Sequence, residues 1–183
     1  MNKEYRIVQA AGRLPVAEFV RRYVDLTDPE AGCRDCPDYG RFWTCPPYAF
    51  PAADYWAGYS EIVLHGQQFH FAPEWLERRF QPDQLGEYCR RFMSRQSRRT
   101  AEELRAQYPG ADILTTGGCT LCLSCTRPAG RPCRHPGELG YSLESLGCDV
   151  GAAARAELGW ELLWATDEHL PRYLTLLCAV LLR

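Results

Sequence analysis

Residues 61–71 read EIVLHGQQFHF and carry a strong strand pattern. The stretch is rich in aromatic and β-branched residues, and Pro73 follows it at a position that suits the start of a helix. A second strand is predicted over residues 172–182, RYLTLLCAVLL, which are apolar but about half the length that a membrane helix needs. These two stretches predict that a sheet forms the centre of the fold.

Strands and helices alternate outward from residues 61–71. The pattern predicts an α/β or α+β fold, a single domain over residues 1–183 in which helices flank a mixed sheet and two cysteine-rich loops bind metal. Residues 28–59 are predicted to be a long loop, because they are rich in Pro, Gly and aromatics without periodicity. The other predicted strands are at 4–10, 111–118 and 160–164. Helices are predicted at 15–26, as two or three helices over 73–108, and as two short helices at 141–147 and 149–159. Thr100 and Glu103 are a predicted capping pair, and Ser142 and Asp149 are the predicted caps of the two short helices.

Composition and charge exclude several classes of protein. The chain has 183 residues, 46% hydrophobic and 24% charged, with a formal net charge of −2. No global charge directs it to nucleic acid or to a membrane, and the polar residues of the N-terminus break any secretory signal. We therefore expect a cytoplasmic protein, in which ten cysteines bind metal or do redox work more often than they form disulfides.

Four cysteines are concentrated in residues 118–136, GCTLCLSCTRPAGRPCRHP. A C-x2-C-x2-C run suits a four-iron (4Fe-4S) cluster, because a tight coil offers thiolates to three different irons and a fourth cysteine comes from elsewhere. Cys133 is the predicted fourth ligand, because closing the shorter loop costs less chain entropy. Cys45 is the alternative, since Pro46 follows it. The predicted ligands are Cys119, Cys122, Cys125 and Cys133.

A second window, residues 33–45, contains Cys33, Cys36 and Cys45. These three thiols could hold a second cluster in which one iron lacks a cysteine, which leaves an open position for substrate, solvent or another ligand. They could equally join the first set around one centre. A zinc site built from the two C-x2-C pairs, 33/36 and 122/125, is the alternative to iron, although it leaves the remaining window cysteines unexplained.

Three stretches together resemble a known family: CRDCPDYGRFWTCPPY (33–48), GGCTLCLSCTRPAGRPCRHP (117–136) and YSLESLGCDV (141–150). They resemble a prokaryotic family of predicted metal-binding proteins, domain of unknown function 2284. The resemblance runs through most of the chain and implies that all seven window cysteines are metal ligands. The family has no assigned reaction, so the resemblance implies a metal but no substrate.

Other polar residues are interpreted more simply. His65, His70 and His135 are expected to be surface or core residues, with His135 the best placed of them to bind metal. The arginines at 91, 95 and 98 share one helix face, which could dock nucleic acid or an acidic partner but is expected to be solvated. Capping explains Ser142 and Asp149, which with Glu144 could otherwise form an acid-base set.

The leading functional prediction is an iron-sulfur protein that passes single electrons to a redox partner protein or enzyme. The first alternative is an enzyme or metal-delivery protein with an open metal site at Cys33, Cys36 and Cys45. The second is a zinc-stabilised interaction module. No nucleic acid or membrane partner is expected.

Overall fold

A four-stranded sheet lies at the centre of the part of the chain that the structure describes. The structure is a computed structural model that describes residues 4–166 and 168–183. Its strands are β1 (Tyr5–Pro15), β2 (Glu61–Phe71), β3 (Asp112–Leu114) and β4 (Tyr173–Leu182). The order across the sheet is β1-β2-β4-β3, and every neighbouring pair is antiparallel. The predicted class of helices packed on a sheet is confirmed, with an antiparallel sheet where a mixed one was expected.

Five α-helices accompany the strands in the described residues. They are α1 (Val16–Tyr23), α2 (Ala52–Ala57), α3 (Pro73–Leu76), α4 (Pro82–Gln107) and α5 (Val150–Leu158). The N-cap at Asp149 is confirmed, because its Oδ1 accepts a hydrogen bond from the Ala152 N–H at 2.9 Å. Within the described residues, no helix is both long enough and apolar enough to cross a membrane.

Helices cover both faces of the sheet. Successive residues of a strand point to opposite faces, and β4 divides its side chains accordingly. Leu177, Ala179 and Leu181 join the core beneath α1 and α5, whereas Leu176, Cys178 and Val180 join the core beneath α4. This double burial explains why β4 is apolar throughout.

Helix α4 runs for 26 residues without a break. The predicted capping role of Thr100 is therefore wrong. Thr100 is buried, and its hydroxyl donates a hydrogen bond to Gln67 Oε1 on β2 at 3.1 Å. The hydroxyl that the local sequence pattern assigned to a helix N-cap is therefore hydrogen-bonded to a residue on a strand distant in the sequence.

The predicted strand at residues 160–164 is also wrong. This segment has no regular secondary structure. Trp160 instead packs over Gly66 of β2, where an added Cβ would lie 2.7 Å from the indole ring. Glycine at this position lets the chain cross the face of the sheet.

Two loops contain the seven window cysteines, and both have their ends fastened at one place. The N-terminal cysteine loop is residues 24–51, and the C-terminal cysteine loop is residues 115–142; apart from isolated bridges they contain only turns and 3₁₀ turns. We call residues 141–149 the base segment. It closes the second loop through the Thr115 N–H to Tyr141 O bond (2.7 Å) and fastens the first through the Asp25 N–H to Gly147 O bond (2.9 Å).

Helix α2 falls inside the predicted loop 28–59 and was not predicted.

Candidate metal centre

The four cysteines of the C-terminal loop face one common cavity. Cys119, Cys122, Cys125 and Cys133 all line it, together with apolar side chains from both loops. Burial raises the pKa of the Cys119 thiol, and the thiols of Cys125, Cys133 and Cys122 raise it further. Each of the other three therefore lies within electrostatic reach of Cys119. We call these four residues the C-terminal set.

The N-terminal cysteine loop forms one wall of this cavity. Phe42 and Trp43 line it opposite the cysteines. The Trp43 indole N–H donates hydrogen bonds to Thr126 Oγ1 and to the Arg131 carbonyl, both at 3.2 Å. Two aromatic rings held in this way exclude water from the sulfur atoms on one side, and solvent exclusion is one of the factors that set the potential of an iron-sulfur cluster.

Arg127 fastens the two loops together. Its guanidinium donates to the carbonyl oxygens of Phe42 (2.6 Å) and Pro47 (2.5 Å) and also to that of Cys45. The same group lies over the Trp43 ring, 5.6 Å from its centroid. Sequence reasoning missed Arg127, although an arginine two residues after Cys125 in a loop rich in Pro and Gly is a signal that could have identified it.

The loops also approach each other closely at Gly118. A Cβ at this residue would lie 3.2 Å from Asp38 Oδ2 and 3.2 Å from the Phe42 ring. A side chain at residue 118 would therefore push the N-terminal loop away from Cys119, the next residue. Glycine at this position lets the Asp38 and Phe42 side chains pack closely against the backbone of the C-terminal loop.

The three cysteines of the N-terminal loop lie together as a second group. Burial, with smaller contributions from Asp38, Cys36 and Cys33, raises the pKa of Cys45 to about 12. Burial also raises the pKa of Cys33, followed in effect by Cys36 and Glu144. Cys36 is exposed, whereas its two partners are partly buried. We call Cys33, Cys36 and Cys45 the N-terminal set.

The structure thus brings the seven cysteines together as a set of four and a set of three. The thiols that influence Cys119 are those of its own loop, and the thiols that influence Cys45 are Cys33 and Cys36. Within the described residues, no three Cys, His, Asp or Glu side chains converge closely enough to hold a single metal ion. For the C-terminal set, the fit to a metal centre therefore rests on four thiol donors that line one cavity.

The other cysteines lie outside both sets. Cys178 is fully buried in β4, and Cys89 lies partly buried on α4. Cys148 is buried within the base segment, where it forms an isolated bridge with Val24.

His135 contacts the C-terminal set through its backbone N–H. Its N–H donates a hydrogen bond to Cys133 Sγ at 3.3 Å, while its ring Nδ1 lies 3.2 Å from Glu138 Oε1. The contact to the sulfur comes from the main chain, which residue type alone could not indicate. Hydrogen bonds to cysteine sulfur are a known influence on cluster potential.

An open groove adjoins the C-terminal set. It has a volume of about 460 Å³, and Cys133 contributes to its wall. Four aromatic side chains also line it: Trp43, Tyr48, Phe50 and Tyr141. Its size falls within the range of small-molecule sites.

The arginines of α4 are largely paired with carboxylates of the same helix. Arg91 contacts Glu87, and Arg98 contacts Glu102 at 3.0 Å. This pairing agrees with the expectation of a solvated face. Arg95 and Arg98 also border a shallow hollow that reaches Thr120 in the C-terminal cysteine loop.

Comparison with known proteins gives one match. A family model described as "Predicted metal-binding protein (DUF2284)" matches residues 25–182. No curated protein and no solved structure matches the chain. The matched region includes both cysteine loops and the base segment.

Proposed function

This chain belongs to the DUF2284 family of predicted metal-binding proteins, and from that premise we propose that it is an iron-sulfur protein that transfers single electrons to a partner protein or enzyme. The C-terminal set would hold a four-iron cluster. All ten cysteines are free, which suits the reducing conditions of a cytoplasmic location.

One observation carries the proposal: Cys119, Cys122, Cys125 and Cys133 line a single cavity. Structural zinc sites usually take their thiolates as pairs from separate knuckles. Here three cysteines come from one short coil and the fourth from the same loop, which is the ligand arrangement of a cubane cluster. Apolar walls on the cavity support a site that holds a cluster away from water.

A bound cluster would supply one-electron redox chemistry, and the chain's own residues would adjust it. Phe42 and Trp43 exclude water from one side of the set. The His135 N–H donates toward Cys133 Sγ, which favours the more negatively charged, reduced state. Arg127 keeps the aromatic wall in place through its bonds to the opposite loop.

An exposed surface next to the cysteines would serve as the contact for the partner. The Leu123 side chain is fully exposed, between Cys122 and Cys125. An exposed apolar residue at the tip of the coil supports a contact surface for a redox partner, because a cluster close to the surface shortens the path for the electron. The arginines bordering Thr120 would favour an acidic partner.

A second candidate function is an enzyme or metal-delivery protein that uses the N-terminal set. Cys36 is exposed, and three thiols leave one position of a metal centre for another ligand. The aromatic groove beside Cys133 offers space for a small-molecule substrate. These features favour an exchangeable metal position over a fully enclosed electron carrier.

Metal analysis of anaerobically purified protein tests the proposal. We expect iron, acid-labile sulfide and broad absorbance at about 400 nm. Cys122→Ser should lose about four irons per chain, whereas Cys89→Ser, a matched change outside both sets, should lose none. Zinc with a colourless solution would contradict the proposal and favour a zinc-stabilised interaction module. Unchanged iron in Cys122→Ser would contradict the ligand assignment.

A further inference from the structure

Glu144 lies where the base segment meets the N-terminal set. It begins the 3₁₀ turn Glu144–Leu146, which packs against the 3₁₀ turn Ala31–Cys33. Leu143 and Leu146 on either side are fully buried, and the Trp56 indole N–H donates to the Leu146 carbonyl at 3.1 Å. The backbone that carries Glu144 is therefore firmly held.

One carboxylate oxygen of Glu144 is buried without a partner. Oε1 accepts a hydrogen bond from Thr116 Oγ1 at 3.3 Å. Oε2 is buried and has no hydrogen-bond partner in the described residues, although the residue as a whole keeps some exposure. Burial raises the pKa of this carboxyl group. A buried carboxylate oxygen is costly unless a hydrogen bond, a counter-charge or a metal satisfies it.

The turn that begins at Glu144 packs against the turn that ends at Cys33, so the carboxyl group is carried on a segment next to the N-terminal set. Asp38 lies in the same loop as Cys45, but its side chain is partly exposed and no buried orphan atom is found there. Water can satisfy Asp38, whereas Glu144 Oε2 is buried.

We propose that Glu144 supplies an oxygen ligand that completes the metal centre of Cys33, Cys36 and Cys45, an inference that rests on the proposed iron-sulfur function. A metal ion there satisfies Oε2, and three thiolates with one carboxylate carry the same total charge as four thiolates. Carboxylate is a harder donor than thiolate, so this iron position exchanges more readily than the other three. The set of three is thereby the reactive one of the two.

The first test compares wild type with Glu144→Gln, and uses Asp38→Asn as the matched control. We expect Glu144→Gln to fall from about eight irons per chain to between about four and about seven, with the loss confined to the N-terminal set. Electron paramagnetic resonance of the oxidised protein should show a three-iron signal in this variant. Asp38→Asn should keep the iron of wild type. Full iron and an unchanged spectrum in Glu144→Gln would overturn the inference.

A second measurement uses wild-type protein and does not depend on the folding of a variant. Protein grown with carbon-13 glutamate is reduced and examined by electron-nuclear double resonance. A carboxyl carbon coupled to the reduced N-terminal centre is expected. Absence of that coupling, with the resonance of the centre present, would refute the role of Glu144.

These results separate the inference from the proposed function. About four irons in wild type that all survive a Cys36→Ser change would leave the C-terminal cluster intact and overturn the ligand role of Glu144. Protein without iron would overturn both. About eight irons, of which Cys36→Ser loses about four, together with the Glu144→Gln loss, would support both.

Discussion

Arg127→Ala should separate the two cysteine loops. The side chain donates to three carbonyl oxygens of the N-terminal loop, at Phe42, Cys45 and Pro47. Hydrogen bonds to a charged group contribute about 1.5–3 kcal/mol each. Arg127 is partly exposed, so water replaces part of that contribution. Ordering the Arg127 side chain also costs about 2 kcal/mol of conformational entropy, a cost that the alanine variant does not have. We expect a net loss of about 2–4 kcal/mol, which for a chain of this size lowers the thermal midpoint by roughly 5–15 °C.

The assay is thermal unfolding by circular dichroism on holo protein, combined with the rate of iron release to a chelator. Arg134→Ala is the matched control, because Arg134 also donates to a carbonyl, that of Ser124 at 2.9 Å, but within its own loop. The control should cost less than about 1 kcal/mol and leave iron release unchanged. Arg127→Lys should fall between the two, since an ammonium group lacks the planar fork that reaches several acceptors. If Arg127→Ala melted together with the control and released iron at the wild-type rate, the reasoning would be refuted.

Three further predictions concern close approach, pH and metal removal. Gly118→Ala should cost about 1–3 kcal/mol and speed iron release, because its Cβ would lie 3.2 Å from Asp38 and Phe42; Gly137→Ala, where a Cβ meets nothing, should change neither stability nor release. Burial lowers the pKa of His65 below 6.5, so the unfolded chain binds the proton more readily and stability should fall as the pH drops below about 6.5. Urea unfolding between about pH 7.5 and pH 5.5 should show a smaller decrease in the free energy of unfolding for His65→Gln than for wild type. An equal decrease in the two proteins would show that His65 is not the cause. Chelation should lower the thermal midpoint, since the cysteine loops have little regular structure; equal midpoints for metal-free and holo protein would mean that aromatic packing and Arg127 suffice.

The local sequence pattern was enough to predict the strands and helices in which buried residues recur at a regular spacing. The apolar run of β4 and the mixed aromatic and β-branched stretch of β2 indicated strands, and the spacing of Val16 and Phe19 indicated α1. Asp149 was identifiable as a helix cap because its partner is three residues away. In each case the interaction that decides the structure is close in sequence.

Predictions were wrong where contact with a residue distant in the sequence determines the local structure. Thr100 resembles a helix start, but its hydroxyl bonds to Gln67 on β2. Residues 160–164 have the composition of a strand, but Trp160 packs over Gly66 on the face of the sheet instead. Helix α2 is six residues long, too short to be stable without the tertiary packing of Trp56.

The sequence by itself determined which residues are the candidate metal ligands, because the spacing of Cys119, Cys122 and Cys125 is a local property of the chain and thiols are the donors that iron and zinc prefer. Only the tertiary structure decided how those residues are grouped and enclosed. The base segment brings the two loops together, Arg127 holds one against the other, and Glu144 is buried beside Cys33. These relations join residues 80 or more positions apart, and burial of a carboxylate depends on everything that surrounds it, so no short stretch of sequence can encode them.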